Sequence, residues 1–325
     1  MKTLSRWVLL SVTLCAVTLQ SHAQSLYVLN AGSKNTIHKF STSGQDLGEI
    51  VSSGILYPIY ATFDGGGNLL VTNQGDNTVK RFSTSGQFLG NFATTNLDGP
   101  HGIVSDGSGN VYVSNWGSLG PNFGLGTSIS KYSSTGDYLG AFTTTGVSGP
   151  HSIVFDSQGN MLVANYSDGA GTTIRKFSSS GQDLGNFAST GLLGPQGITI
   201  VGNGDVYVTN FVGGNIRRFG ADGTDYGDIV SGLDTPSGMT VDYDGNLLVS
   251  LYNEGRIAKY STSGQFIGNF ATSTNGIGNP IGLLLERNPS NPGAVPEPSE
   301  WAAMGLLGTG LLGLVVRGRK KKLAN

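Results

Sequence analysis

The sequence predicts an all-β fold: a six-bladed β-propeller over residues 24–287, closed by pairing of its N- and C-terminal strands, with one hydrophobic helix beyond it. Three observations predict this. One pattern recurs along the chain, each copy holds four short strand-like runs, and each end of the repeat region holds part of a copy. The prolines that open successive copies, Pro58, Pro100, Pro150, Pro195 and Pro236, lie 42, 50, 45 and 41 residues apart. Four antiparallel strands in a period of that length is the pattern of a propeller blade.

Within a copy, "PHGIVSDGSGNVYVSN" from Pro100 and "PQGITIVGNGDVYVTN" from Pro195 each read as two β-branched or aromatic runs around a glycine-containing turn. Glycine supplies the positive φ that such turns require. The second half, "VKRFSTSGQFLGNF" at residues 79–92, reads as two further strands joined by another glycine-containing hairpin turn. First strands are apolar on both alternations, as in Ile103-Val104 and Ile153-Val154-Phe155, which predicts burial on both faces between neighbouring blades. Residues 25–50 supply strands two to four of a copy with no first strand. "PIGLLLE" at residues 280–286 is a first strand with nothing after it, 44 residues beyond Pro236. Joined, the two pieces complete the count of six.

The recurring "GNxYVxN…GxNxIxxFxxxG" resembles the NHL-repeat propellers and, more loosely, gluconolactonase-type and streptogramin-lyase propellers. The resemblance covers residues 25–286. It implies the fold and leaves function open, because such rings serve as enzymes and as binding modules.

The two ends read as addresses. Residues 1–23 are a signal peptide: Lys2 and Arg6, an apolar stretch from Trp7, and a small-x-small site at Ser21-His22-Ala23. Its removal takes the only cysteine, so no disulfide or thiolate chemistry is expected in the exported chain. Residues 288–299 form a proline-rich linker, which cannot continue a strand. Residues 300–316 are the hydrophobic helix, and the uncharged run 301–316 would span about 24 Å at the helical rise. That suits a transmembrane segment with the basic tail 317–325 on the cytoplasmic side. Val295, Pro296, Glu297, Pro298 and Ser299, then the apolar run, then Arg317, Arg319 and Lys320, closely resemble the PEP-CTERM sorting signal. That resemblance implies processing by an exosortase-type enzyme, in an organism that makes exopolysaccharide. The protein is then anchored transiently in the inner membrane and ends at the cell surface or outside it. Without the signal peptide and the basic tail 317–325 the chain has 12 basic against 21 acidic residues, a net charge near −9, which argues against a nucleic-acid partner.

Most repeated polar residues have structural roles. Asp64, Asp106, Asp156 and Asp242 recur at the first turn, where Asp caps its own backbone. Lys39, Arg81, Lys131, Lys176, Arg218 and Lys259 recur on the third strand as a framework or solvated position.

Departures from the repeat mark one rim. After the opening prolines come His101, His151, Gln196 and Ser237, against Ile59 and Ile281 in the other two blades. Asn115, Asn165 and Asn210 end second strands, followed by Trp116, Tyr166 and Phe211; these asparagines either cap turns or present amides to a ligand. The loop after Asn115 has 13 residues and the one after Asn165 has 8, against 5 or 6 elsewhere. Aromatic faces and neutral amides suit the C–H faces and hydroxyl edges of sugars. The expected function is a non-catalytic surface or matrix module binding exopolysaccharide or a partner protein, with no cofactor. The alternative is a lactonase- or lyase-type enzyme with a divalent metal on His101 and His151. Glutamate is nearly absent from the ring, which leaves that alternative short of carboxylate ligands and bases. A scaffold without a ligand is the third reading.

Overall fold

The computed structural model describes residues 24–117, 124–166 and 172–286. These form six four-stranded antiparallel sheets. Blade one is built from both ends of the repeat region, with Asn279–Leu285 as its innermost strand paired to Ser25–Ala31. Blades two to six follow in chain order, their first strands being Pro58–Phe63, Pro100–Ser105, Pro150–Phe155, Pro195–Ile200 and Pro236–Val241. The signal peptide, linker, hydrophobic helix and basic tail lie outside the described residues. Among the described residues no helix is long and apolar enough to cross a membrane.

The core lies between blades. Leu162 and Ile174 of blade four pack with Ile198, Val208 and Phe219 of blade five. Each of the other five interfaces has an equivalent cluster, including one between blade six (Leu248, Ile257) and blade one (Leu26, Phe40, Leu285). Second strands such as Leu69–Asn73 and Val111–Asn115 are buried along their whole length, because a sheet sandwiched between two others has no solvent face. Fourth strands lie at the periphery and leave Leu47, Leu89, Leu139 and Leu184 half exposed.

The two recurring charged positions prove to be partners. Arg81 reaches Asp64 at 3.0 Å, Lys176 reaches Asp156 at 2.9 Å and Lys259 reaches Asp242 at 2.6 Å. The same aspartates hold their turns: Asp64 Oδ1 accepts from the backbone N–H of Gly66 and Asn68 at 2.9 and 2.8 Å. In blade three, where Asp106 caps its turn, Lys131 lies over the Tyr112 ring, its Nζ 5.2 Å from the centroid.

Hydroxyls on the second strands join neighbouring blades near the axis. Thr72 Oγ1 accepts from the Tyr60 N–H at 3.0 Å and donates to the His101 carbonyl of the next blade at 2.7 Å. Ser114 accepts from Gly102 N–H and donates to the His151 carbonyl, both at 2.7 Å. Thr209 and Ser250 do the same toward the carbonyls of Ser237 and Ile281. Ala164 and Leu29 occupy this position in the remaining two blades, so neither can form the link.

Candidate functional site

One face of the ring holds a cavity of about 710 Å³. Its walls are residues that follow the opening prolines, residues that follow the second strands and, in blade two, Leu56 and Tyr57 before Pro58. His101, Trp116, His151, Tyr166, Gln196 and Phe211 line it, together with Tyr252 of blade six. Ile59 and Ile281 close the side formed by blades two and one. No aspartate or glutamate is among its described lining residues.

The aromatic rings form a continuous collar. His101 stacks on Trp116 with centroids 4.8 Å apart, and His151 stacks on Tyr166 at 4.5 Å. Tyr166 meets Phe211 edge-on at 6.4 Å, and Phe211 meets Tyr252 at 6.1 Å. These positions are equivalent in successive blades, so the repeat itself brings residues tens of positions apart in sequence into contact.

The two histidines meet at their Nδ1 atoms, 3.3 Å apart. Such a contact requires one neutral imidazole to donate and the other to accept, so the two rings hold opposite tautomers. Both are buried. Burial pushes the His101 imidazolium down to about 3. It holds His151 well below its ordinary value, with His101 adding to the effect. Both rings are therefore neutral at neutral pH. Each Nε2 is buried without a hydrogen-bond partner among the described residues, as is Gln196 Oε1.

The three asparagines have a different role from their aromatic neighbours and do not line the cavity. Asn115 Oδ1 accepts from Asp98 N–H at 3.0 Å, and its amide donates to Ser128 and Ser130 at 3.0 Å each. Asn165 Oδ1 accepts from Ser148 N–H at 3.1 Å, and its Nδ2 donates to the Gly146 carbonyl at 3.1 Å. Asn210 Oδ1 accepts from Leu193 N–H and its Nδ2 donates to the Gly191 carbonyl, both at 3.1 Å. Of the two roles open to them, the structure assigns capping: each amide ties the loop before the first strand to the end of the second. A buried amide occupied on both ends has little left to offer a ligand.

A metal would find few donors here. The Nδ1 separation fits two corners of a tetrahedral site, whose edge is about 3.3 Å for Zn–N bonds of about 2.0–2.1 Å. Yet among the described residues no group of three His, Cys, Asp or Glu is placed to hold an ion. Two neutral nitrogens are a thin donor set for a divalent cation.

One residue that pattern reading passed over belongs beside the site. Tyr60, one position after Ile59, donates from its hydroxyl to the Gln196 carbonyl at 3.4 Å. Gln196 follows the opening proline in blade five, directly across a six-membered ring from blade two. The signal was present in sequence: the equivalent residues are Gly102, Ser152, Gly197, Gly238 and Gly282, so a tyrosine there stands alone.

Comparison with known proteins agrees with both halves of the chain. No curated protein matches it in sequence. The fold is similar to that of a chain in a nidogen/laminin complex, with a TM-score of 0.69 and 15% identity, covering 81% of this chain and 98% of that one. It is similar to a protein of unknown function from Bacteroides caccae, with a TM-score of 0.63 and 15% identity over 82% of this chain and 100% of that one. It is also similar to virginiamycin B lyase from Staphylococcus aureus, in a catalytically inactive form with quinupristin: TM-score 0.58, 15% identity, 82% and 94% covered. At such identities the likeness is one of fold. Residues 294–320 match the PEP-CTERM protein-sorting motif, which implies export and membrane-associated processing by exosortase-type machinery. The chain is thus a six-bladed β-propeller that carries a PEP-CTERM sorting motif at its C-terminal end.

Proposed function

We propose that the propeller is a non-catalytic binding module, displayed at the cell surface or in the extracellular matrix, that takes neutral carbohydrate of the exopolysaccharide into the aromatic-lined cavity. One observation carries this reading. The cavity joins five aromatic side chains, two neutral imidazoles and the three carboxamides of Gln74, Asn77 and Gln196, with no carboxylate among its described lining residues. Aromatic faces stack on sugar C–H surfaces, and neutral donors and acceptors match hydroxyls without the desolvation cost of a charge. The placement of the ends supports display. Ile281, at the start of the last strand, lines the cavity, whereas Glu286 at its far end bonds to the Ser25 carbonyl at 2.8 Å. Both ends of the ring therefore leave from the face opposite the cavity. Attachment through the C-terminal end, for as long as it lasts, would leave the binding face turned away from the membrane.

The test is calorimetric titration of the detergent-solubilised full chain with exopolysaccharide from the producing organism. Saturable binding that weakens in Tyr166→Ala supports the reading, and absence of binding refutes it.

A second reading, a metal-dependent lactonase or lyase, is favoured by the 3.3 Å approach of the two imidazoles. It requires stoichiometric metal in the purified protein, lost in His101→Ala. Metal-free protein would eliminate it.

A further inference from the structure

One position beyond the cavity-lining Ile59, away from the mouth, one side chain reaches across the ring. Blades two and five lie opposite each other, and the Tyr60 hydroxyl of one reaches the Gln196 carbonyl of the other at 3.4 Å. The tyrosine therefore crosses the propeller axis. At its level four blades have glycine, and the first strands pack too closely there for a side chain: a Cβ on Gly238 would lie 2.1 Å from the Ile281 carbonyl oxygen. Gln196 is free to receive the tyrosine because Ala164 lacks the hydroxyl that, in blades two, three, five and six, bonds the equivalent carbonyl. Burial also raises the Tyr60 phenol above its ordinary value, so it stays a neutral donor.

Immediately above Tyr60 lies a polar layer. His101 Nε2, His151 Nε2, Gln196 Oε1 and Ser237 Oγ are buried and have no hydrogen-bond partner among the described residues. They come from the same position in four consecutive blades. Buried polar atoms are normally satisfied, and unsatisfied ones are costly to keep. From the mouth inward the order is an aromatic collar, a neutral polar layer, then the Tyr60 barrier.

We infer that the site is a dead end that takes the terminus of a neutral chain, so the module recognises terminal sugar units and not internal runs of the polymer. This rests on the carbohydrate reading. An internal run must enter and leave a site, as in an open groove or a through-channel, and Tyr60 blocks the second opening along the axis. A chain end can place its rings against Trp116, Tyr166 and Phe211 and its outermost hydroxyls toward the polar layer.

The experiment compares exopolysaccharide before and after partial hydrolysis, at equal sugar mass, in calorimetric titrations of the detergent-solubilised full chain. Recognition of termini predicts that binding sites per gram rise by the same factor as the chains are shortened. Equal or falling capacity per gram, with binding intact, overturns the inference and leaves the carbohydrate reading standing. Absence of binding to both forms overturns the carbohydrate reading and the inference with it. Tyr60→Gly, which installs the residue four other blades carry, is the second arm. Weakened binding of the short oligomers with the circular dichroism unchanged supports the barrier, and unchanged affinity in the folded variant overturns it.

Discussion

The Thr72 hydroxyl of blade two donates to the main-chain carbonyl of His101 in blade three at 2.7 Å. Ser114 does the same for His151 one blade further on. The two histidines of the cavity are thus held from behind, each by the neighbouring blade. Their 3.3 Å contact is a product of the packing of blade three against blade four and not of any local loop.

Removing one such hydroxyl leaves a buried amide and a buried carbonyl without a partner. Ser114→Ala should cost about 1–3 kcal/mol in denaturant unfolding. Ala164→Ser offers the missing hydroxyl to blade five and should be neutral or raise stability by up to about 1 kcal/mol. A clear loss in Ala164→Ser would show that this position does not join blades as described.

The capping asparagines separate stability from binding. Asn210→Ala deprives Leu193 N–H and the Gly191 carbonyl of their partner and should cost about 1–3 kcal/mol. Affinity for the carbohydrate should stay unchanged in calorimetry of the folded variant. A selective loss of affinity would return the asparagines to the ligand site.

Truncating the collar should do the reverse. Tyr166→Ala removes a ring stacked on His151 and should weaken binding by about tenfold or more, in the range of a desolvated aromatic contact. The thermal midpoint should move far less than in Asn210→Ala.

The buried histidines set an acid limit. Their folded-state pKa values lie below the unfolded value, to about 3 for His101, so the unfolded chain takes up protons first as pH falls. Their stabilisation is complete above about pH 6.5 and is lost progressively below it. Unfolding free energy measured from pH 7 to 4.5 should therefore decline, and the decline should flatten in a His101→Gln, His151→Gln double variant. Asp183 and Asp225, held down by their bonds to Arg175 and Arg217, act in a lower window. Their contribution is present above the ordinary carboxylate pKa and disappears only below about pH 4.

The fold was legible because a blade is a short unit repeated with its punctuation intact. The prolines, the Asp-x-x-Gly-Asn turns and the second hairpin turns recur at matched offsets, and each carries a local conformational reason. The collar was legible for the same cause: Trp116, Tyr166 and Phe211 occupy one repeat position, so adjacency of blades made them neighbours. Roles that depend on what lies across the ring were not. Whether Asn115 faces a ligand or caps a loop turns on the Asp98 amide, which sits 17 residues earlier and is placed only by the fold. The pairing of Arg81 with Asp64 likewise joins two positions that each recur separately in sequence. Tyr60 acts 136 residues away, through a carbonyl, and a carbonyl has no sequence signature.

The central claim, that the aromatic-lined cavity is a carbohydrate site, is tested most directly by one titration. Exopolysaccharide from the producing organism is added to the detergent-solubilised full chain and, in parallel, to its Trp116→Ala variant. Saturable binding to the native chain that falls by about tenfold or more in the variant is the predicted result. Binding of equal strength in both, or no binding to the native chain, would contradict it.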